Sequence, residues 1–440
     1  MSQALTLKNI FAHFRARWQE APDTRKPNNN RRYQMVDAIL SAFSVFFMQS
    51  PSFLAHQKVM QSKQGCNNAQ SLFGIERIPC DQQVRKMLDP LPAQYFYDDF
   101  WLVLDELKTQ PQMASFRSSL GTNLVALDGV IYFSSENLSC PECLKRQDRN
   151  GTEHFYHSVI TPVMVKPGRA QVLPLPPEFI VPQDGNEKQD CERVAAKRWL
   201  AQHHGRFSDY SMTYLGDDLY ANQPLCELIA ETYHQFFIFV CKPDSHPHLY
   251  EWVARLAKND GVEELSQRHW NGKYGEIWRY RFAQQIPLRN SDDALTVNWC
   301  ELVITHEDTN QILYHNAFVT NHTIVSENVT VVVQAGRTRW KIENENNNTL
   351  KTKGYHLEHN FGHGTQHLSC VLLILNLLAF LVHTVQELTQ PAYLCLRQAL
   401  GARKTFFNDL RALTRYLFFD DWQTLFQFMA DQLELSLPPP

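Results

Sequence analysis

Three acidic side chains set the chemistry this sequence could perform. Asp128 ends the apolar run Asn123-Leu-Val-Ala-Leu127, Asp217 ends Met212-Thr-Tyr-Leu-Gly216, and Glu343 follows Arg339 by four residues. Carboxylates at two strand ends and on a helix could meet around metal ions, and hard cations such as Mg²⁺ take oxygen ligands. The plainer alternative is structural. Arg339 and Glu343 lie about one turn apart on a helix and would form an exposed ion pair worth ~0.3–0.5 kcal/mol, while each aspartate would be a turn or cap residue. Asp218 and Glu345 compete with Asp217 and Glu343 for the same roles.

A second constellation is Cys140-Pro-Glu-Cys143 followed by His154 and His157. Two thiols and two imidazoles suit a tetrahedral, structural Zn²⁺. On a strand, residues three apart point to opposite faces, so His154 would have to reach the ion from a turn. Buried cysteines and ordinary histidines are the alternative. The stretch from His356 to His367 is rich in histidine and is broken by Gly362 and Gly364. It reads as a loop that follows the Glu343 helix and packs near the site. The turn-rich segment 23–33 carries Arg31 and Arg32 beside Tyr33 and is either a solvated connector or a phosphate-contacting loop. Trp278 and Trp299 could stack on an unpaired base or fill a core.

Periodicity supplies the elements that must hold these residues. Residues 1–120 read as helices, with Leu7, Ile10, Phe11, Phe14 and Trp18 on one face of the first. From Asn123 the order is three strands, helix, strand, helix, strand, which predicts an α/β mixed sheet flanked by helices with function at strand ends. A β-rich interval over 246–322 looks like an inserted subdomain. A helix capped near Ser326 carries Glu343, and helices fill the rest. The expected divisions are 1–120, helical and a candidate DNA-end binding unit; 121–245, the first part of the core; 246–322, the insertion; 323–368, the end of the core; and 369–440, C-terminal helices.

Net charge is −4, 44% of the residues are hydrophobic and 20% are charged. Overall charge therefore announces no nucleic-acid binding, and such a role would rest on local basic patches. Ten cysteines without a disulfide-like framework point to a reducing cytosol. The first ten residues lack the pattern of a signal peptide. Cys370–Val385 is apolar but short for a bilayer and is interrupted by Asn376 and His383, so a buried core helix is expected and no membrane.

Leu-Asp128-Gly, Gly216-Asp217-Asp-Leu-Tyr220 and Arg339-Trp-Lys-Ile-Glu343, in that topology, resemble the DDE transposases of bacterial insertion sequences. The subgroup concerned has a β-strand insertion before its last catalytic helix and a Tyr-(2)-Arg-(3)-Glu-(6)-Lys signature. The resemblance spans most of residues 120–390. It departs at Gly336, where the signature Tyr would fall, and at Leu350, where the Lys would fall, the nearest lysine being Lys351. What the resemblance implies is an RNase H-like core, with Asp128, Asp217 and Glu343 as catalytic ligands of two Mg²⁺ (or Mn²⁺) ions. Arg339 and Lys351 would contact phosphate. The partners would be double-stranded DNA, both the element's terminal repeats and the target, bound by a homodimer in a bacterial cytoplasm at the nucleoid. The competing classes are a metal-dependent nuclease on the same core and a decayed or domesticated protein that binds DNA without cutting it.

Overall fold

The computed structural model describes residues 5–26, 32–182 and 188–438, with the backbone alone for 188–191. The strands, in chain order, are β1 (Asn123–Ala126), β2 (Gly129–Ser135), β3 (Leu144–Gln147), β4 (Glu153–Ile160), β5 (Val163–Val165), β6 (Leu173–Pro174), β7 (Glu178–Ile180), β8 (Met212–Gly216), β9 (Phe236–Val240), β10 (Glu263–Trp270), β11 (Gly275–Pro287), β12 (Thr296–His306) and β13 (Ile312–Thr320).

Nine of them form one mixed sheet in the order β10-β11-β12-β13-β9-β8-β1-β5-β6. Among the described residues only β1–β8 and β8–β9 are parallel pairs. β8 is buried along its whole length and β9 is buried after its first residue, as parallel strands covered on both faces must be. A smaller sheet orders β2-β4-β3, with β7 joined to β4.

The sequence suggests one strand from His154 to Val165. The chain instead divides there, β4 pairing in the small sheet and β5 in the large one. Pro162 sits between them and has no N–H to continue a ladder. β1 and β2 divide at the matching place, so Asp128 lies where the chain leaves one sheet for the other. The Thr161 N–H donates to the Asp128 carbonyl at 3.1 Å and holds the two crossings together.

The interval 246–322 is not set apart from this sheet. β13 pairs antiparallel with β9, Val240 facing Phe318, and β12, β11 and β10 follow outward as long hairpins. Trp299 is buried in it, whereas Trp278 is half-buried with the Arg337 guanidinium over its ring.

The apolar helix at Leu368–Thr389 is longer than its most apolar segment. By length and composition it could cross a bilayer, but it is almost entirely buried inside the protein. It lies against helix Met35–Phe47, which is buried at every position. Gln386 donates to the Leu5 carbonyl at 2.7 Å. Farther along, Asn68 donates to the carbonyls of Thr414 and Leu417. The N-terminal and C-terminal helices thus share one core.

Candidate active site

The Glu343 helix does not start at Ser326. Residues 326–328 form a turn, with the Asn328 side chain accepting from the Val325 N–H, and the helix begins at Val329. It breaks at Thr338–Arg339, where the Thr338 hydroxyl donates back to the Gln334 carbonyl, and resumes at Trp340. From Ile342 to Asn347 it is a π-helix. Such a turn takes in one extra residue. In a regular helix the eight residues from Glu343 to Lys351 would leave them ~80° apart, whereas with one residue absorbed the offset falls to ~20°. Lys351 is thereby brought near the Glu343 face, where it pairs with Glu358 at 2.8 Å.

Gly336 is buried where this helix crosses the sheet. A Cβ there would lie 2.9 Å from Ile238 and from the Phe318 ring, so no tyrosine fits the position.

The charges of Asp217 and Glu343 both reach the buried Asp128 carboxyl. Burial, followed by the Glu192 carboxylate, pushes the Asp128 carboxyl up to about 7. Arg339 opposes this, and Asp217 and Glu343 add to it. Arg339 also donates to Glu343 at 2.7 Å, while half of the Glu343 side chain stays exposed. Asp217 folds into a tight turn and accepts from the Leu219 N–H at 2.9 Å. Asp218 is engaged elsewhere. It accepts from the Lys242 N–H at 2.6 Å and from the Ser245 hydroxyl, and it faces His246 at 3.5 Å. Burial alone would raise its carboxyl, but these donors hold it below the ordinary value.

Glu192, on the helix Lys188–His203, is a fourth carboxylate that sequence reasoning missed. It is buried and accepts from the Tyr220 hydroxyl at 2.9 Å. One glycine makes room for it and another for its tyrosine partner. A Cβ on Gly129 would lie 2.6 Å from its carboxylate, and one on Gly216 would lie 2.7 Å from the Tyr220 ring. Both the Asp-Gly and the Gly-Asp-Asp-Leu-Tyr strings are therefore shaped around this side chain. The Glu343 helix is fastened to the strand crossing as well, because the Thr161 hydroxyl donates to Asn347 at 3.1 Å.

The set offers carboxylate oxygens from two strand ends and two helices, whose charges disfavour ionisation of Asp128, with one arginine opposing. Oxygen donors suit hard cations such as Mg²⁺, but among the described residues the group whose ligand atoms all lie within 4.8 Å of one another is the cysteine and histidine cluster, not these acids.

The cysteine and histidine cluster has a different membership from the one expected. Cys140, Cys143 and His157 meet, but the fourth member is His363, from the loop after the Glu343 helix. His154 points to the other face of β4 and faces Asp148 at 3.5 Å, as the two-residue period of a strand requires. No local spacing could have identified His363, which is brought in by the fold.

Of the basic loop, Arg31 lies outside the described residues. Arg32 is exposed, with its guanidinium over the Tyr33 ring. Arg25 in the same loop is occupied by Asp23. No known family model matches the chain, and no curated protein matches it.

Proposed function

We propose that this protein is a DDE-type DNA transposase with an RNase H-like core. The observation that carries the reading is that the charges of Glu192, Asp217 and Glu343 all act on the buried Asp128 carboxyl. The strand order supports it too. β5 runs antiparallel to both β1 and β6, a helix leads to β8, a second helix leads to β9, and the Glu343 helix comes after further strands added on the β9 side.

In the first reaction water forms a bond to phosphorus and the bond to the 3′ oxygen breaks, leaving a 3′-hydroxyl and a 5′-phosphate. In the second that 3′-hydroxyl attacks a target phosphate and displaces the target's own 3′ oxygen. Bound Mg²⁺ or Mn²⁺ ions, held by Asp128, Asp217 and Glu343, would activate the attacking oxygen and neutralise the leaving one. Arg339 holds the Glu343 carboxylate in place, and its charge lowers the cost of gathering the acids. Tyr220 orients Glu192 against Asp128. Lys351, once released from Glu358, supplies a point charge for phosphate. Two element ends call for two such sites, hence a dimer on DNA.

The test is cleavage and joining of DNA carrying the element's terminal repeats by purified protein with Mg²⁺. Asp128→Asn is expected to abolish both while leaving the fold and DNA binding intact. Cleavage without joining would favour a nuclease, and binding without either would favour a non-catalytic DNA-binding protein.

A further inference from the structure

We propose that Cys140, Cys143, His157 and His363 form a closed tetrahedral Zn²⁺ site that fastens the loop after the Glu343 helix to the small sheet. The geometry carries the argument. Zn–S bonds of ~2.3 Å and Zn–N bonds of ~2.0–2.1 Å in a tetrahedron separate two sulfurs by ~3.8 Å, sulfur from nitrogen by ~3.5 Å and two nitrogens by ~3.3 Å. The two Sγ atoms stand 3.7 Å apart. His157 Nε2 is 3.5 Å from each sulfur, and His363 Nε2 is 3.4 Å from Cys143 Sγ. The two Nε2 atoms are 3.2 Å apart. A disulfide would need ~2.05 Å between the sulfurs. A network of thiol hydrogen bonds has no reason to bring all four atoms within 4.8 Å of one another, as they are here.

The surroundings fit a cation as well. The Cys143 N–H donates to the Cys140 carbonyl at 3.1 Å, closing the tight turn that aims both sulfurs the same way. The Cys140 N–H donates to Cys143 Sγ at 3.4 Å, a contact that suits a thiolate. His363 Nδ1 donates to the Gly364 carbonyl at 3.1 Å, which leaves the Nε2 lone pair facing the cluster. Two sulfurs and two imidazole nitrogens in a tetrahedron select Zn²⁺ over the hard cations that the carboxylate site would take. Four protein ligands leave no open position, so the ion is structural.

Its placement gives it a task. The loop from Gly354 to His367 joins the Glu343 helix to the core helix Leu368–Thr389. At its far end it is held by Asp89, whose carboxylate accepts from the Thr365, Gln366 and Leu368 N–H groups. The ion would pin the same loop at His363, against β4 and the turn before β3.

The experiment measures metal rather than DNA chemistry, so its outcome is independent of the transposase reading. Full-length protein purified without added metal is expected to carry one zinc per chain. Exchange for Co²⁺ is expected to give the intense visible bands of a tetrahedral thiolate site. Cys140→Ser and His363→Ala should each lose the bound metal and those bands, while His154→Ala keeps both. Should a variant fail to fold, wild-type protein stripped by a chelator and titrated with Co²⁺ gives the same readout. Weak octahedral cobalt absorption, or zinc retained in both Cys140→Ser and His363→Ala, would overturn the proposal.

Discussion

Glu192 stands closer to the acids than anything in its own helix suggests. Its carboxylate is the charged neighbour that most raises Asp128, and Tyr220 fixes its orientation. Replacing a side chain that orients a metal ligand commonly costs ~10–100-fold in metal affinity or activity. Glu192→Gln is therefore expected to lower DNA cleavage by about 10–100-fold and to shift its Mg²⁺ dependence. Tyr220→Phe should act in the same direction and less strongly. Titrating cleavage against Mg²⁺ checks this, and an unchanged curve for Glu192→Gln would remove it from the site. The three other acids could be picked out of the sequence because two end apolar runs and one follows an arginine by a helical turn. Glu192 sits mid-helix in a charged stretch, and its only marks are Tyr220 and the glycines that make room for the two of them, far away in the chain. His363 was hidden for the same reason. His154 misled, because nearness in sequence does not place two strand residues on one face.

Two irregularities make the Glu343 helix what it is. Gly336 lets it approach the sheet, and the π turn takes in the extra residue that brings Lys351 round. The first leaves no mark in the periodicity, whereas the poor helical run at 346–348 suggests a bend that re-aims Lys351. In the fold Asn346 and Asn347 are buried, and Asn347 ties the helix to Thr161. Gly336→Ala would press a methyl group into Ile238 and Phe318. Its expected cost is ~1–3 kcal/mol, the usual range for overpacking a close contact. Chemical denaturation measures this directly. A variant as stable as the parent would mean that the helix can move away from the sheet without penalty. β8 and β9 were easier to read, because each is a continuous apolar run, whereas the short or exposed β3, β6, β7 and β10 left no such mark. The split at Pro162 was harder, since one continuous stretch of strand residues serves two sheets.

For the whole molecule, acid sensitivity follows from its buried histidines. His56 is held between the hydroxyls of Ser44 and Ser50, each at 2.9 Å. Burial, with help from the Arg411 charge, lowers its pKa to about 3. A folded value below the unfolded 6.5 means that the neutral ring contributes its full stability above pH 6.5 and loses it as pH falls towards 3. The slope is ~1.4 kcal/mol per pH unit for one such group. His203 and His322, both lowered to about 4 mainly by burial, steepen the upper part of that decline. The melting temperature is expected to drop between pH 7 and pH 5, and His56→Gln should flatten the drop. Equal slopes in the two proteins would assign the acid sensitivity elsewhere.

Helix Met35–Phe47 finds its cover in Leu368–Thr389, near the other end of the chain. Helices nearer in sequence cover the rest of Met35–Phe47, so during synthesis the face that Leu368–Thr389 covers stays bare until that segment has emerged.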